Sequence, residues 1–315
     1  MRRFLSAFYR FAGTWTGTIV IVLFLIFFVA QSFVIPSGSM KRTLLIGDFL
    51  FGKKFSYGTP LPQVPWLNWI IFPDIWNNGH IFEGDRPERG DIVIFKPPHK
   101  PKTYFVKRCV AIGGDEVIYS DKKLLIHFNE GDAYIEKNYP AAKIVKLLGK
   151  LWVENPYKEQ FPGINYTPGI YGTSFQGLIK SYPYIEMKSI LIEELDSNVY
   201  YKNNAYLNAF YVKIEPDNFF MMGDNRDNSN DSRFWGQVPY KDIVAKPWVI
   251  YFSIEFRSYD TVLDEADQSS LKRVCGDIDL NSDECKELWN KERFRIRWSR
   301  IGRNIDTLQY EEPSL

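Results

Sequence analysis

The sequence predicts a mainly β protein: an N-terminal transmembrane helix, then an antiparallel β-sheet domain on the far side of the membrane, with a second β-rich region inserted into it. Three observations carry this expectation. Short apolar runs of period two, such as "GDIVIFK", "TYFVKRCVAI", "DEVIYS", "FYVKIE" and "DIVAKPWVIYFSI", recur along the chain and are punctuated by Gly, Pro, Asn and Asp. Aromatic residues reach 17%, as suits strands and surfaces that touch lipid. A single long apolar run, "WTGTIVIVLFLIFFVAQSFVI", occupies residues 15–35 without a charge.

At about 1.5 Å per residue a helix of that length crosses the roughly 30 Å hydrocarbon core. Arg2, Arg3 and Arg10 precede it, and no acidic residue appears before Asp48. The positive-inside rule puts residues 1–13 in the cytoplasm, 14–35 in the membrane and 36–315 outside. A cleavable signal peptide is the rival, since Ile19–Ala30 suits an h-region and Val29-Ala30 a cleavage point. Either way the remainder is exported. Within it, residues 117–215 are looser and richer in Lys, Glu and Tyr, and read as the inserted region. Residues 64–76, "VPWLNWIIFPDIW", suit either a core hairpin or a patch at the headgroup level.

The formal net charge of +1 implies no polyanionic partner, and no nucleic acid is expected. Three Cys are too few for a disulfide scaffold. Cys275 and Cys285 close a short loop and could pair in an oxidising compartment, or all three thiols stay free.

Ser39 lies in a turn-prone segment a few residues beyond the apolar run, and a nucleophilic serine needs a base. His80, His99 and His127 lie in no triad-like setting, and neither HExxH nor paired CxxC occurs, so no metal or other cofactor is implied. Ser120-Asp-Lys-Lys123 is an isolated polar turn. A lysine base remains. Lys107 sits on an apolar strand beside Arg108, and the two point to opposite faces, so one of them must face inward. Burial can remove 3–5 pKa units from a lysine. The polar run "MGDNRDNSNDSRFWG", 222–236, fails EF-hand spacing, because Ser232 and Val238 stand where Gly and Glu are needed. Its many mutually satisfying groups suit a hydrogen-bonded scaffold. "RGD" at 89–91 reads as a turn into a strand.

Four blocks together resemble bacterial signal peptidase I, of the Ser-Lys peptidase class: "PSGSM" (36–40), "RGDIVIFK" (89–96), "YFVKRCVAIGGD" (104–115) and "GDNRDNSNDSRFWG" (223–236). The resemblance implies a retained anchor, Ser39 as nucleophile and Lys107 as general base. It implies an oxyanion hole from the Ser37 hydroxyl and the Ser39 backbone N–H. It gives Ser229 the task of orienting the lysine amine, Asp231 and Arg233 a supporting ion pair, and Arg108 a structural role on the strand. Phe33, Ile35, Leu44 and Val106 fall where the family lines its small substrate pockets. The implied substrates are signal-peptide-bearing preproteins cut after an Ala-x-Ala-like site. The implied setting is the bacterial inner membrane, with the lipid bilayer and the export machinery as partners and the catalytic domain on the periplasmic side. The chain departs from the family in Arg42, usually Pro, in Cys109, usually apolar, and in Ile112-Gly113, often Leu-Pro. It also has one span where well-known members have two. A membrane-tethered β-rich binding module would account for the anchor and strands but not for the four blocks. A self-cleaving repressor-like protein would need a DNA-binding head.

Overall fold

The alternating runs fold as strands. The computed structural model describes residues 2–25, 29–62, 73–120, 123–166, 188–190, 209–256, 272, 275–279, 282–291 and 294–313. In order, the strands are β1 (Ala30–Val34), β2 (Asp48–Lys53), β3 (Gly58–Pro60), β4 (His80–Glu83), β5 (Ile92–Phe95), β6 (Phe105–Ile112), β7 (Glu116–Ser120) and β8 (Lys123–His127). There follow β9 (Ile144–Leu147), β10 (Lys150–Glu154), β11 (Lys188–Ile190), β12 (Ala209–Lys213), β13 (Asn218–Met222), β14 (Val238–Pro239), β15 (Ile243–Phe256) and β16 (Phe294–Ile296). The helices are α1 (Arg2–Ala12), α2 (Trp15–Phe24), α3 (Asp132–Asn138), α4 (Ser232–Trp235), α5 (Asp283–Lys291) and α6 (Ile305–Leu308).

Among the described residues the strands form two main antiparallel sheets. The first runs β1-β2-β15-β5-β6-β13-β14, with β16 added to β15. The second runs β11-β12-β7-β8-β10-β9 and holds the strands of the 117–215 region. The chain passes between them at two adjacent points, from β6 into β7 and back from β12 into β13. One apolar cluster spans the junction, with Val110, Ala111, Phe220 and Met222 from the first sheet and Val117, Ile126, Val153 and Phe161 from the 117–215 region. Buried Asp115 fixes the crossing. Its carboxylate accepts from Arg89 at 2.6 and 2.8 Å and from the N–H groups of Ile112 and Asn129, both at 2.9 Å. Arg89 and Asp91 are thus structural. Gly90 turns between them at φ 94°, and Asp91 accepts from the Tyr57 hydroxyl and Lys246 before β5 begins. Ser120 and Lys123 face each other across the β7–β8 hairpin, and Lys123 pairs with Glu154.

The N-terminus differs from the expected helix over 14–35. Thr14 caps α2, its hydroxyl accepting from the Gly17 N–H at 3.0 Å. A Cβ on Gly17 would lie 1.8 Å from the Phe11 carbonyl oxygen, so only glycine permits the 94° bend between α1 and α2. α2 ends at Phe24, and Ala30–Val34 is strand β1, in register with β2 from Ala30↔Lys53 to Val34↔Phe49. The physical reason is the alternation. Phe33 and Ile35 are buried while Val34 is 49% exposed, and a strand lets both apolar side chains enter the core. Among the described residues no single helix is long and apolar enough to cross a membrane; Ser6–Ala12 and Trp15–Phe24 pass that test only together. Most of the 64–76 stretch lies outside the described residues; at its end, Ile75 and Trp76 are 76% and 68% exposed.

Cys275 and Cys285 form a disulfide with Cα atoms 5.3 Å apart, and Cys109 is a buried free thiol on β6. A loop of this length gains roughly 2.5–3 kcal/mol from closure by the chain-entropy model. Cys275→Ser should therefore lower the melting temperature by several degrees, and reductant should do the same to the unmodified chain. Thiol labelling of the folded protein should leave Cys109 unreacted, and a melt monitored with a thiol reagent checks both outcomes.

Candidate active site

Ser39 sits in a 3-10 turn, Gly38–Met40, just after β1. Met40 is fully buried and anchors the turn, and its carbonyl accepts from the N–H groups of Thr43 and Leu44. Lys107 projects from the middle of β6, opposite Val93 of β5. Both residues are buried, Ser39 at 8% and Lys107 at 4% exposure. The Lys107 Nζ lies 2.6 Å from Ser39 Oγ and donates to the Val106 carbonyl at 3.0 Å. The Phe105 ring is 5.2 Å away. Burial pushes the amine down from its ordinary value to about 8, while the more distant Asp231 and Asp224 push it up. At pH 7.4 about a fifth of such an amine is neutral, against about one part in a thousand for an ordinary lysine. A lone pair is thus present within proton-transfer distance of a hydroxyl.

Both members of the Lys107–Arg108 pair prove buried, on opposite faces of β6. Arg108 grips Asp224 bidentately at 2.8 and 2.7 Å and donates through Nη1 to the carbonyl of Gly90 and to Gln309 Oε1. Asp224 also accepts from the Thr43 hydroxyl at 2.6 Å. Asp231 accepts from Arg233 Nε at 2.8 Å and from the Gly223 N–H at 3.0 Å, and caps α4. Arg233 donates further to the Tyr119 hydroxyl and the Arg226 carbonyl. Burial alone would raise both carboxyls; the facing arginines hold them below the usual carboxylate range.

The 223–233 loop touches the serine turn directly. Asn225 donates from its backbone N–H to the Ser39 carbonyl and from Nδ2 to the Gly38 carbonyl, each at 3.1 Å. A Cβ on Gly223 would stand 2.5 Å from the Ser39 carbonyl oxygen and 2.3 Å from Ser229 Oγ, so no larger residue fits there. Ser37 is exposed, its hydroxyl 3.5 Å from that of Ser39. Ser229 is fully buried on the same loop, with its hydroxyl against Gly223 and without a hydrogen bond to Lys107. The amine instead directs its donors to Ser39 and the Val106 carbonyl.

Phe33, Ile35 and Leu44 are buried in one apolar cluster with Met40, and Val106 packs against it half-buried. The three histidines sit elsewhere. His80 lies between the carbonyls of Asn78 and Ile243, His127 contacts the Leu151 carbonyl, and His99 stacks on Trp235. Sequence reasoning assigned no role to Thr43, Asp224, Asn225 or Gln309. Asp224 and Asn225 lay within the polar run it singled out, whereas Thr43 and Gln309 carry no local signal at all.

The family model for signal peptidase, peptidase S26, matches residues 9–252. Signal peptidase I from one strain of Helicobacter pylori is 43% identical over 310 residues, covering 98% of this chain and 96% of that protein. That of a second strain is 42% identical over the same coverage. Signal peptidase I of Rickettsia bellii is 32% identical over 248 residues, 77% of this chain and 73% of the relative. A match of this breadth, on a mainly β antiparallel fold that holds a serine against a dehydrated lysine, means that the chain belongs to the peptidase S26 family of signal peptidases and is a serine endopeptidase.

Proposed function

We propose that this protein is a membrane-anchored signal peptidase I that removes signal peptides from exported preproteins, with Ser39 as nucleophile and Lys107 as general base. The observation that carries this reading is the 2.6 Å approach of Nζ to Oγ, made by an amine that burial has brought to about 8. The neutral amine takes the Ser39 proton as Oγ attacks the scissile carbonyl. The developing oxyanion meets the Ser37 hydroxyl and the Ser39 N–H; one such donor is typically worth ~10²–10³ in rate. The ammonium returns its proton to the leaving amine, which frees the mature protein. Lys107 then activates water against the acyl-enzyme, which releases the signal peptide and restores Ser39. Asp231–Arg233 and Asp224–Arg108 fix the 223–233 loop behind the dyad.

The substrate is extended. Among the described residues β1 pairs only with β2, so its other edge is open to an added strand. Phe33, Ile35, Leu44 and Val106 supply the apolar wall for small side chains of an Ala-x-Ala-like site. The anchor reading rests on α2, in which Ile19, Val20, Val22, Leu23 and Phe24 are all at least 45% exposed. A helix apolar all round needs an apolar surrounding. The N-terminus then lies in the cytoplasm and the sheets on the periplasmic side of the inner membrane, where preproteins leave the export machinery. Tethering confines enzyme and substrate to one surface and fixes part of their orientation beforehand.

Ser39→Ala and Lys107→Ala should each abolish preprotein cleavage in detergent, and the double mutant should be no worse than either. Lys107→Arg should fail as well, because a guanidinium keeps its proton. kcat/KM should rise through about pH 8, the value to which burial takes the amine. A flat profile from pH 6 to 9 with chemistry rate-limiting would exclude the lysine base.

The same burial has a stability cost whose sign is fixed. The folded amine binds its proton less tightly than the unfolded one, so the penalty is full below about pH 8 and vanishes above the ordinary lysine value. Lys107→Met should raise the stability of the inactive enzyme by up to about 3 kcal/mol near pH 7. The gain should shrink toward pH 10, as followed by denaturant titrations across that range.

Intact mass of detergent-extracted protein should retain residues 1–35; a mature N-terminus at Gln31 would show that the apolar run is itself cleaved.

A further inference from the structure

The family match stops at residue 252, yet the chain comes back to the site after it. β16 pairs with β15, and the following turn brings Arg300 to Asp48 at 2.6 Å and to the Thr43 carbonyl at 3.0 Å. The Ile250 N–H donates to the Arg303 carbonyl and the Gly302 N–H to the Ile250 carbonyl, which clips the segment to the sheet. Asn304 caps α6 by accepting from the Asp306 N–H at 2.9 Å, and Ile305 is buried in the apolar cluster that also holds Phe33, Ile35 and Leu44. Gln309 follows, 8% exposed, with Oε1 2.8 Å from Arg108 Nη1 and its own Nε2 donating to the Asp306 carbonyl at 3.3 Å. Tyr310 packs on Phe161, with ring centroids 5.3 Å apart, and the Arg108 guanidinium lies 3.7 Å from the centre of the Phe161 ring. Two consecutive residues of the C-terminal segment therefore bear on the same buried arginine.

We propose that Gln309 is a positioning residue for the Ser39–Lys107 pair, acting through Arg108 and Asp224. The inference rests on the Ser-Lys reading above. Arg108 is wholly buried, and every N–H it keeps from water needs an acceptor. Two nitrogens hold Asp224, and Nη1 divides its donors between the Gly90 carbonyl and Gln309. Without the amide oxygen one donor of a buried cation is left unmade. Leaving such a donor unmade is costly, and the guanidinium relieves it by tilting away from Asp224 or by admitting water.

A tilt has two consequences at the dyad. The 224–225 backbone shifts, and with it the Asn225 N–H that holds the Ser39 carbonyl. The negative charge of Asp224 is also less fully balanced. The groups that bear on Lys107 are Asp231 and Asp224, and those that bear on Asp224 are Arg108, Thr43 and Arg226. Weakening Arg108's hold lets Asp224 favour the charged amine, so the active, neutral form appears only at higher pH.

The experiment uses the full chain in detergent with one preprotein and compares Gln309→Met, which keeps length but loses the acceptor, with Gln309→Glu, which keeps it. Glu311→Ala, which removes the exposed Arg303–Glu311 pair and loosens the same tail without touching Arg108, is the control. The expected result for Gln309→Met is a loss of about tenfold in kcat with KM nearly unchanged, together with a rising pH limb displaced upward by about half a unit. Gln309→Glu should recover most of kcat. Glu311→Ala should lower the melting temperature and leave the limb in place. Wild-type kcat and limb in Gln309→Met would overturn the proposal. So would a loss that only follows the unfolded fraction, with the limb unmoved. Should Gln309→Met not fold, Gln309→Leu, which also lacks the acceptor, decides: a lowered kcat with the limb displaced upward supports the proposal, and an unmoved limb overturns it. Cleavage by Ser39→Ala at the wild-type rate would instead bring down the Ser-Lys reading itself, so the two failures are distinguishable.

Discussion

The rest of the site depends on keeping water and carboxylates away from one amine. Lys107 is buried, and a buried lysine beside an unengaged carboxylate would form an ion pair and keep its proton. Two carboxylates are in fact close enough to be felt. Each is already committed elsewhere: Asp231 to Arg233 and the Gly223 N–H, and Asp224 to Arg108 and Thr43. The two buried arginines therefore do more than hold a loop in shape. They occupy the partners that would otherwise satisfy the lysine, and they leave a serine hydroxyl and one backbone carbonyl as its near contacts.

The architecture follows from the need to assemble that arrangement from distant parts of the chain. The serine turn follows an edge strand, the lysine lies on a central strand, and both ion pairs take their carboxylates from the loop after β13. Gly223 lets the loop backbone approach the Ser39 carbonyl more closely than any side chain would allow. The second sheet reaches the site through shared packing, with Tyr119 of β7 receiving a hydrogen bond from Arg233. It braces the loop from behind and supplies no residue of the dyad.

How much of this could be read from the sequence depended on whether the signal was local. The strands alternate in period two because one face is buried, so the mainly β class and most strand positions were legible. The Ser39 and Lys107 pairing was legible only through the four blocks, since neither residue differs in its immediate setting from an ordinary turn serine or strand lysine. Hydropathy failed at residues 30–34. Apolar content is the same for a membrane helix and a buried strand, and the alternation of Phe33, Val34 and Ile35 is too short to outweigh the run before it. The motif placed Ser229 in the buried loop beside the Ser39 turn, but a motif gives a residue's place along the chain and not the direction of its hydroxyl. Gln309 could not have been found at all. Its meaning lies in an arginine some two hundred positions away, and nothing around it in the chain marks that contact.

One dimension of the molecule is set before any chemistry begins. α2 closes at Phe24 and β1 opens at Ala30, six peptide steps later, a stretch that reaches at most about 22 Å however the chain runs. Beyond Ala30 the chain is locked in register with β2. Under the anchoring proposed above, the folded body would hang from its N-terminal helix on a short leash. A body on a long, slack tether would meet scissile bonds at every height above a bilayer; an enzyme held this way would sweep only a thin shell. The spacing between a substrate's own apolar run and its cleavage point would then be a quantity the enzyme measures, with the length of the leash as the ruler.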